Sequence, residues 1–308
     1  MRVFITGGAG YVGRAVTARL SAAGHEVSGL VRTHERAERL RSLGAAAILG
    51  DIRDPATFVG AAEGCDAVVH LAQAQGDDRA AVDAAAVEAF LEAGRRSPRP
   101  RSFVYTSVLF VLGDTGDAPA AETAANAPPP FAAARAEIER QVLEGGGGSL
   151  VCAVIRPGMV YGGGAGGSVS ELFRGAFEEG AAGYVGGGDN RWSLVHRDDA
   201  AELFRLVVEQ RAAGYFHAVD GHPLSVREVA EAASTAAGAG GRTKSWGQEE
   251  ARSVLGSFAD ALCLDQVADA SRARALGWAP ARAAFDAAAG EAFAEWGREE
   301  RGGQGGGG

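Results

Sequence analysis

Apolar residues in the first half of the chain come in short unbroken runs separated by amphipathic or loop stretches: Arg2 to Ile5, Glu26 to Val31, Ala46 to Leu49, Ala67 to Leu71, Ser102 to Thr106 and Leu150 to Ile155. Continuous runs of this length read as strands buried on both faces. Their alternation with helix-like segments predicts a parallel sheet covered on both sides. Helix starts fall between them. Asp54 followed by Pro55 gives an N-cap and a first helical position for a helix over Ala56 to Ala62. Ser225-Val-Arg-Glu228 has the spacing of a capping box, and Asp198 or Asp199 can cap Ala200 to Glu209. Beyond Arg156 the pattern loosens into glycine clusters at Gly162 to Gly167 and Gly186 to Gly188, with a helix around Leu172 to Glu179.

The first run leads directly into Thr6-Gly7-Gly8-Ala9-Gly10-Tyr11-Val12-Gly13, which opens a helix over Val12 to Ala23. Glycine here lets the backbone turn tightly and approach a diphosphate without an intervening Cβ, while free amides and the helix dipole favour the anion. Strand, glycines, helix and second strand in that order point to a βαβ unit that holds a nicotinamide dinucleotide. Where the second strand ends, at Arg32-Thr33, no acid is available for a free ribose 2′-hydroxyl. Arg32, with Arg36, can instead neutralise a 2′-phosphate, which favours NADP(H) over NAD(H). The fold class is therefore α/β, a Rossmann-type doubly wound parallel sheet with a small C-terminal α/β substrate-binding region. Residues 1–160 are mainly dinucleotide-binding. Residues 161–301 mainly bind substrate and return elements to the sheet, and 302–308 form a Gly-rich tail with too little apolar surface to fold.

Composition narrows the choice of partners. A chain of 308 residues with 46% hydrophobic content can bury a full core. A net charge of −9, with arginines scattered, leaves no basic footprint for nucleic acid. Cys65, Cys152 and Cys263 are too far apart and odd in number for a disulfide framework, and the six histidines lack metal-ligand spacing. No apolar run approaches the roughly eighteen residues of a spanning helix, and Met1-Arg2 leads into a strand rather than a signal peptide. The expectation is a cytoplasmic protein acting on a small molecule, with no membrane or metal partner. Lys244 is the single lysine, so an arginine in a lysine's place says little about altered function.

Together these motifs resemble the extended short-chain dehydrogenase/reductase superfamily in its epimerase/dehydratase-like form, over nearly the whole chain. Gly50-Asp51-Ile52 is similar to the family's adenine-contacting pair, and Val68-Val69-His70-Leu71-Ala72 to its fourth strand. Arg156-Pro157-Gly158-Met159-Val160-Tyr161-Gly162 resembles the sixth-strand motif near the nicotinamide. Ser193 to Asp199 and Leu276-Gly277-Trp278-Ala279-Pro280 resemble the C-terminal scaffold. The resemblance implies a cofactor set of Thr6, Gly7, Gly10, Tyr11, Val12, Gly13, Arg32, Arg36, Asp51, Ile52, Leu71, Ala72, Thr106, Arg135, Pro157 and Val160. It also favours a homodimer through the helices flanking Phe131 to Leu143.

In that family a Tyr-x-x-x-Lys pair and a Ser or Thr after the fifth strand carry the chemistry. Here Phe131 stands in the tyrosine's place, Arg135 in the lysine's and Val108 at the hydroxyl position, with Ser107 one residue away. A phenyl ring donates no proton. The catalytic candidates are therefore Ser107, Arg135, Tyr161 and His196, while His70 and Tyr105 read as structural. Gln73, Gln75, Val108, Phe110, Phe131 and Trp192 are candidates for the substrate pocket. Three functions stay open: hydride transfer at a carbonyl or related group without the usual acid; redox-neutral isomerisation, cyclisation, dehydration or epimerisation; and non-catalytic sensing of NADP(H) or partner binding.

Overall fold

The computed structural model describes residues 1–304. Its framework is a seven-stranded all-parallel sheet. In chain order the elements are β1 (Arg2–Thr6), α1 (Tyr11–Ala22), β2 (Glu26–Val31), α2 (His34–Ser42), β3 (Ala46–Leu49), α3 (Val59–Glu63), β4 (Ala67–His70), α4 (Arg79–Arg95), β5 (Arg101–Thr106), α5 (Ala133–Glu144) and β6 (Leu150–Pro157). There follow β7 (Met159–Tyr161), α6 (Gly167–Glu179), β8 (Ala182–Val185), β9 (Arg191–Trp192), β10 (Leu194–His196), α7 (Arg197–Gln210) and β11 (Gly214–Ala218). The chain ends with β12 (Leu224–Ser225), α8 (Val226–Ala236), β13 (Thr243–Trp246), α9 (Gln248–Leu255), α10 (Phe258–Leu262), α11 (Ser271–Ala275) and α12 (Phe285–Gln304).

Strand order in the large sheet is β11-β6-β5-β4-β1-β2-β3. The strands advance outward from β1 on one side and from β4 on the other, so the connections diverge between them and leave a crevice at their C-terminal ends. Side-chain alternation assigns the two faces. Val3 and Ile5 share one core with Val16 and Leu20 of α1 and Phe204 and Val207 of α7. Phe4 between them points the other way, into a core with Phe58, Phe90 of α4 and Val142 of α5. A third core, built around Tyr161, Phe173, Phe285 and Trp296, belongs to the elements outside the large sheet.

Local chemistry departs from the sequence expectation in a few places. The segment expected as one helix over Ala56 to Ala62 is a single 3-10 turn, Pro55–Thr57, capped by Asp54, followed by α3. His196 rather than Asp198 or Asp199 caps α7, because the helix starts straight out of β10 and the His196 ring accepts the Asp198 amide at 3.1 Å. Asp199 instead accepts the amides of Ala281 and Arg282. Ser225 and Glu228 form the expected capping box. The seventh strand, β11, breaks its apolar run with the buried His217, which hides it from a hydropathy reading. The tail expected to begin at Gly302 enters the structure as the end of α12, which runs to Gln304; Gly305 to Gly308 lie outside the described residues. Among the described residues no helix is long and apolar enough to cross a membrane.

Candidate functional site

The crevice between β1 and β4 is shaped by glycines. Gly7 has φ +71°, and a Cβ on it would stand 2.7 Å from the Ala72 nitrogen and the Leu71 carbonyl carbon. The loop is pressed against the end of β4, and only glycine fits there. A Cβ on Gly13 would lie 2.0 Å from the Gly7 oxygen, so α1 begins flush on the loop. Gly10 precedes α1; no side chain caps the helix and its first turn carries no acid. Free amides and an uncompensated helix N-terminus behind a Cβ-free loop fit the diphosphate of a dinucleotide.

From this loop a cleft of about 210 Å³ opens toward the ends of β2 and β3. Gly7, Gly10, Arg32, Arg36, Asp51 and Ile52 line it together with Leu71 and Ala72. Arg32 and Arg36 are exposed, and among the described residues neither is in an ion pair. Arg53, which no sequence motif singles out, also borders the cleft, but its guanidinium is held by Asp78 and the Gln75 carbonyl. Tyr11 and Val12 do not line the cleft. The Tyr11 hydroxyl donates to the Gly162 carbonyl at 2.8 Å, and Val12 packs against the core.

The strand ends are locked by a buried polar chain. Thr6 Oγ1 meets His70 Nδ1 at 2.5 Å, His70 Nε2 meets Asp83 at 2.9 Å, and the Tyr105 hydroxyl donates to Asp83 at 2.7 Å. Burial pushes the Tyr105 phenol well above its usual range. Burial also opposes the Asp83 charge, yet its contacts with His70 and the charge of Arg135 carry that carboxyl below its usual value. His70 and Tyr105 therefore join β1, β4, β5 and α4. At the end of β5, Arg135 donates to the Thr106 carbonyl at 2.9 Å. The hydroxyls of Thr106 and Ser107 are both buried without a hydrogen-bond partner.

Beyond β5 lies an apolar cavity of about 150 Å³. Val108, Phe110, Pro157, Val160 and Trp192 line it, along with Met159, Ser193 and Gln266, which were not among the candidate site residues. No ionisable side chain is among its lining residues. Phe131 packs on Phe110 and Phe258, with ring centroids 6.2 and 4.9 Å away. Phe258 carried no sequence signal, because it lies in a short helix far along the chain.

Several of the residues singled out from the sequence sit elsewhere. Tyr161 is 1% exposed and donates its hydroxyl to the Ala283 carbonyl at 2.6 Å. Burial pushes that phenol far up, so its proton is committed to the fold. His196 is buried at the start of α7 with its pKa lowered by burial, and its ring lies edge-on to Tyr161. These contacts make both residues structural. Gln73 is exposed on the dinucleotide cleft rather than the apolar cavity, and Gln75 is exposed beside Arg53. Pro157 and Val160, expected against the cofactor, line the apolar cavity, and Trp192 closes it from the far side in sequence.

Residues 3–218 match the model of the NAD dependent epimerase/dehydratase family. The chain belongs to the NAD-dependent epimerase/dehydratase family. Similar proteins include an uncharacterised protein of Schizosaccharomyces pombe, 32% identical over 75% of this chain and 78% of its own length. A 4-hydroxy-2-methyl-3-oxo-4-farnesyl-3,4-dihydroquinoline-1-oxide ketoreductase of Stigmatella aurantiaca is 33% identical over 53% of this chain and 51% of its own. A 2-alkyl-3-oxoalkanoate reductase of Stenotrophomonas maltophilia is 30% identical over 65% and 63%. Among solved structures, the UDP-glucose 4-epimerase of Thermus thermophilus in complex with NAD superposes with a TM-score of 0.79 at 23% identity, over 96% of this chain and 98% of that one. A human epimerase family protein with NADPH gives 0.74 at 21%, over 96% and 99%.

As a member of the epimerase/dehydratase family, the chain is an NAD(P)-dependent type of enzyme. The glycine cradle and the Asp51-Ile52 edge are present. Where the resemblance expects a phenol and a hydroxyl, the structure has Phe131 and Val108 against apolar neighbours.

Proposed function

We infer that this family member reduces a carbonyl on a small apolar metabolite with NADP(H) as its cofactor. One pair of observations supports this above the others: the Gly7 loop opens on a cleft whose two arginines are in no ion pair among the described residues, and beyond β5 lies a cavity whose lining has no ionisable group. A bound nicotinamide dinucleotide would supply a hydride to the carbonyl carbon and leave in its oxidised form, and the carbonyl oxygen would take a proton from the Ser107 hydroxyl, which solvent would restore. Gly7, Gly10 and the first amides of α1 hold the diphosphate. Arg32 and Arg36 bind a 2′-phosphate, and Asp51 and Ile52 border the adenine. Thr106, through its carbonyl, fixes Arg135 at the ribose end. Val108, Phe110 and Trp192 exclude water and orient the substrate, and Ser107 offers an uncommitted hydroxyl at the end of β5. The names of the two reductases above support a ketone as the acceptor.

The ion-free lining of the cavity also favours a second reading, in which the same site performs a redox-neutral rearrangement. A ketone panel assayed by loss of NADPH absorbance separates the two. Consumption matched to alcohol formation is expected. Substrate conversion at constant NADPH would replace reduction with the redox-neutral reading.

A further inference from the structure

The geometry points to a two-part substrate: a polar head at the end of β5 and a long unbranched or prenyl-like hydrocarbon chain in a second cavity outside the large sheet. This rests on the reading of the first cavity as the carbonyl site.

The second cavity, about 300 Å³, lies between α6, β8, β13 and the α9–α10 pair. Its apolar wall includes Trp192, Tyr184, Trp246, Leu255, Phe258 and Leu262. Two observations join it to the first. Trp192 lines both cavities. Phe258, on the second, packs edge-on against Phe110, on the first, with centroids 6.1 Å apart. Only this partition of Trp192, Phe110 and Phe258 side chains separates the carbonyl site from the second cavity.

Two polar atoms of the aromatic wall are already used up. Trp192 Nε1 donates to the Leu262 carbonyl at 3.2 Å, and the Tyr184 hydroxyl accepts from Arg227 at 2.9 Å. Those rings therefore present only their carbon surfaces. Charge argues against a nucleotide occupant. The charged lining residues are Glu171, Glu178, Glu179, Arg174 and Lys244, three carboxylates against two cations, and Arg174 is ion-paired with Glu171 and Glu300. A diphosphate would meet a net negative rim. A hydrocarbon chain meets no such penalty, and the volume lies at the lower end of small-molecule sites.

The α9–α10 pair, which closes this cavity, rests on a satellite core of only Val185, Ala251 and Ala259. Leu255 on α9 is 38% exposed at the rim, so it can be changed without disturbing a core.

The test uses 10-bromodecan-1-ol, whose bromine quenches tryptophan only at contact, with 2-bromoethanol as control, on the full chain. Saturable quenching by the long alcohol alone is expected. It should fall in Trp246→Phe to the part that Trp192, on the same wall, contributes, and its binding should weaken at least tenfold in Leu255→Arg, which places a charge at the rim. In parallel, kcat/KM with NADPH is measured for methyl ketones of rising length, and should climb roughly threefold per methylene until the cavity is full. Absence of saturable quenching together with a flat chain-length series would overturn the two-part site while leaving carbonyl reduction intact. Saturable quenching with no ketone consumed would do the reverse, keeping the hydrocarbon site and removing the carbonyl reading.

Discussion

Arg32 and Phe131 are the positions at which one side chain decides the most. Arg32 follows the end of β2 in the open, lines one cleft with Arg36 and Asp51, and is in no ion pair among the described residues. A charge-assisted bond to a phosphate is worth about 1.5–3 kcal/mol. Arg32→Asp combined with Arg36→Ala is therefore expected to raise the Kd for NADPH by roughly ten- to hundredfold while changing NADH little, read by calorimetry. Equal losses for both cofactors would show that the arginines do not discriminate. Phe131 sits between Phe110 and Phe258 with Arg79 5.8 Å above its ring. Phe131→Tyr is expected to leave the reduction rate nearly unchanged if the proton comes from elsewhere, as in the function proposed above. A gain of a hundredfold or more, the usual range for a positioned acid, would show that the older site lacks only its hydroxyl.

Among the elements, α5 is tied to β6 by a fully buried ion pair. Arg156 Nε and Nη2 reach Glu139 at 2.9 and 2.5 Å, and Asn126 bridges the two side chains. Arg156 also stacks over Tyr215 of β11 at 4.0 Å. The pair thus connects α5, which carries Arg135, with the strand leading to Pro157. Removing one partner of such a pair leaves a buried charge uncompensated. Glu139→Ala is expected to cost about 3–5 kcal/mol in urea unfolding, and a loss under about 1 kcal/mol would mean that water reaches the arginine. The helix and strand framework was legible because runs, caps and glycines agreed along the chain. The β1-to-α1 loop was legible for the same reason, since each glycine there answers a local contact. The split of the Pro55 helix and the capping role of His196 were not, because both depend on the geometry in which the chain enters the element.

Across the whole molecule, the fully buried His217 and the half-buried Asp220 are expected to make stability depend on pH. His217 on β11 is fully buried, and burial followed by the Arg156 charge lowers its pKa from 6.5 to about 4. The folded state therefore resists protonation that the unfolded chain accepts. Stability is fully present above pH 6.5 and is lost toward pH 4, by about 3 kcal/mol. Asp220, after β11, is pushed up to about 6 by burial, so it destabilises the folded state while charged and ceases to do so as pH falls from 6 toward 3.8. The two trends oppose each other. Relative to the native chain, His217→Gln is expected to gain stability at about pH 4.5, and Asp220→Asn to gain at about pH 7.5. Thermal midpoints that shift equally at both pH values would refute this assignment.

Residue order and residue type alone dictate the parallel sheet, the diphosphate loop, the arginines at the end of β2 and the missing phenol, because each depends on neighbours close in the chain or on the side chain itself. The packing roles of Tyr161 and His196, and the closure of the apolar cavities by Phe258 and Trp192, arise only on folding. Those roles depend on which distant segments meet. Tyr161 is silenced by a carbonyl at Ala283, and Phe258 is brought onto Phe131 from far along the chain. A pattern read along the chain carries propensity and spacing, but burial and hydrogen-bond partnership across such separations exist only once the chain has folded.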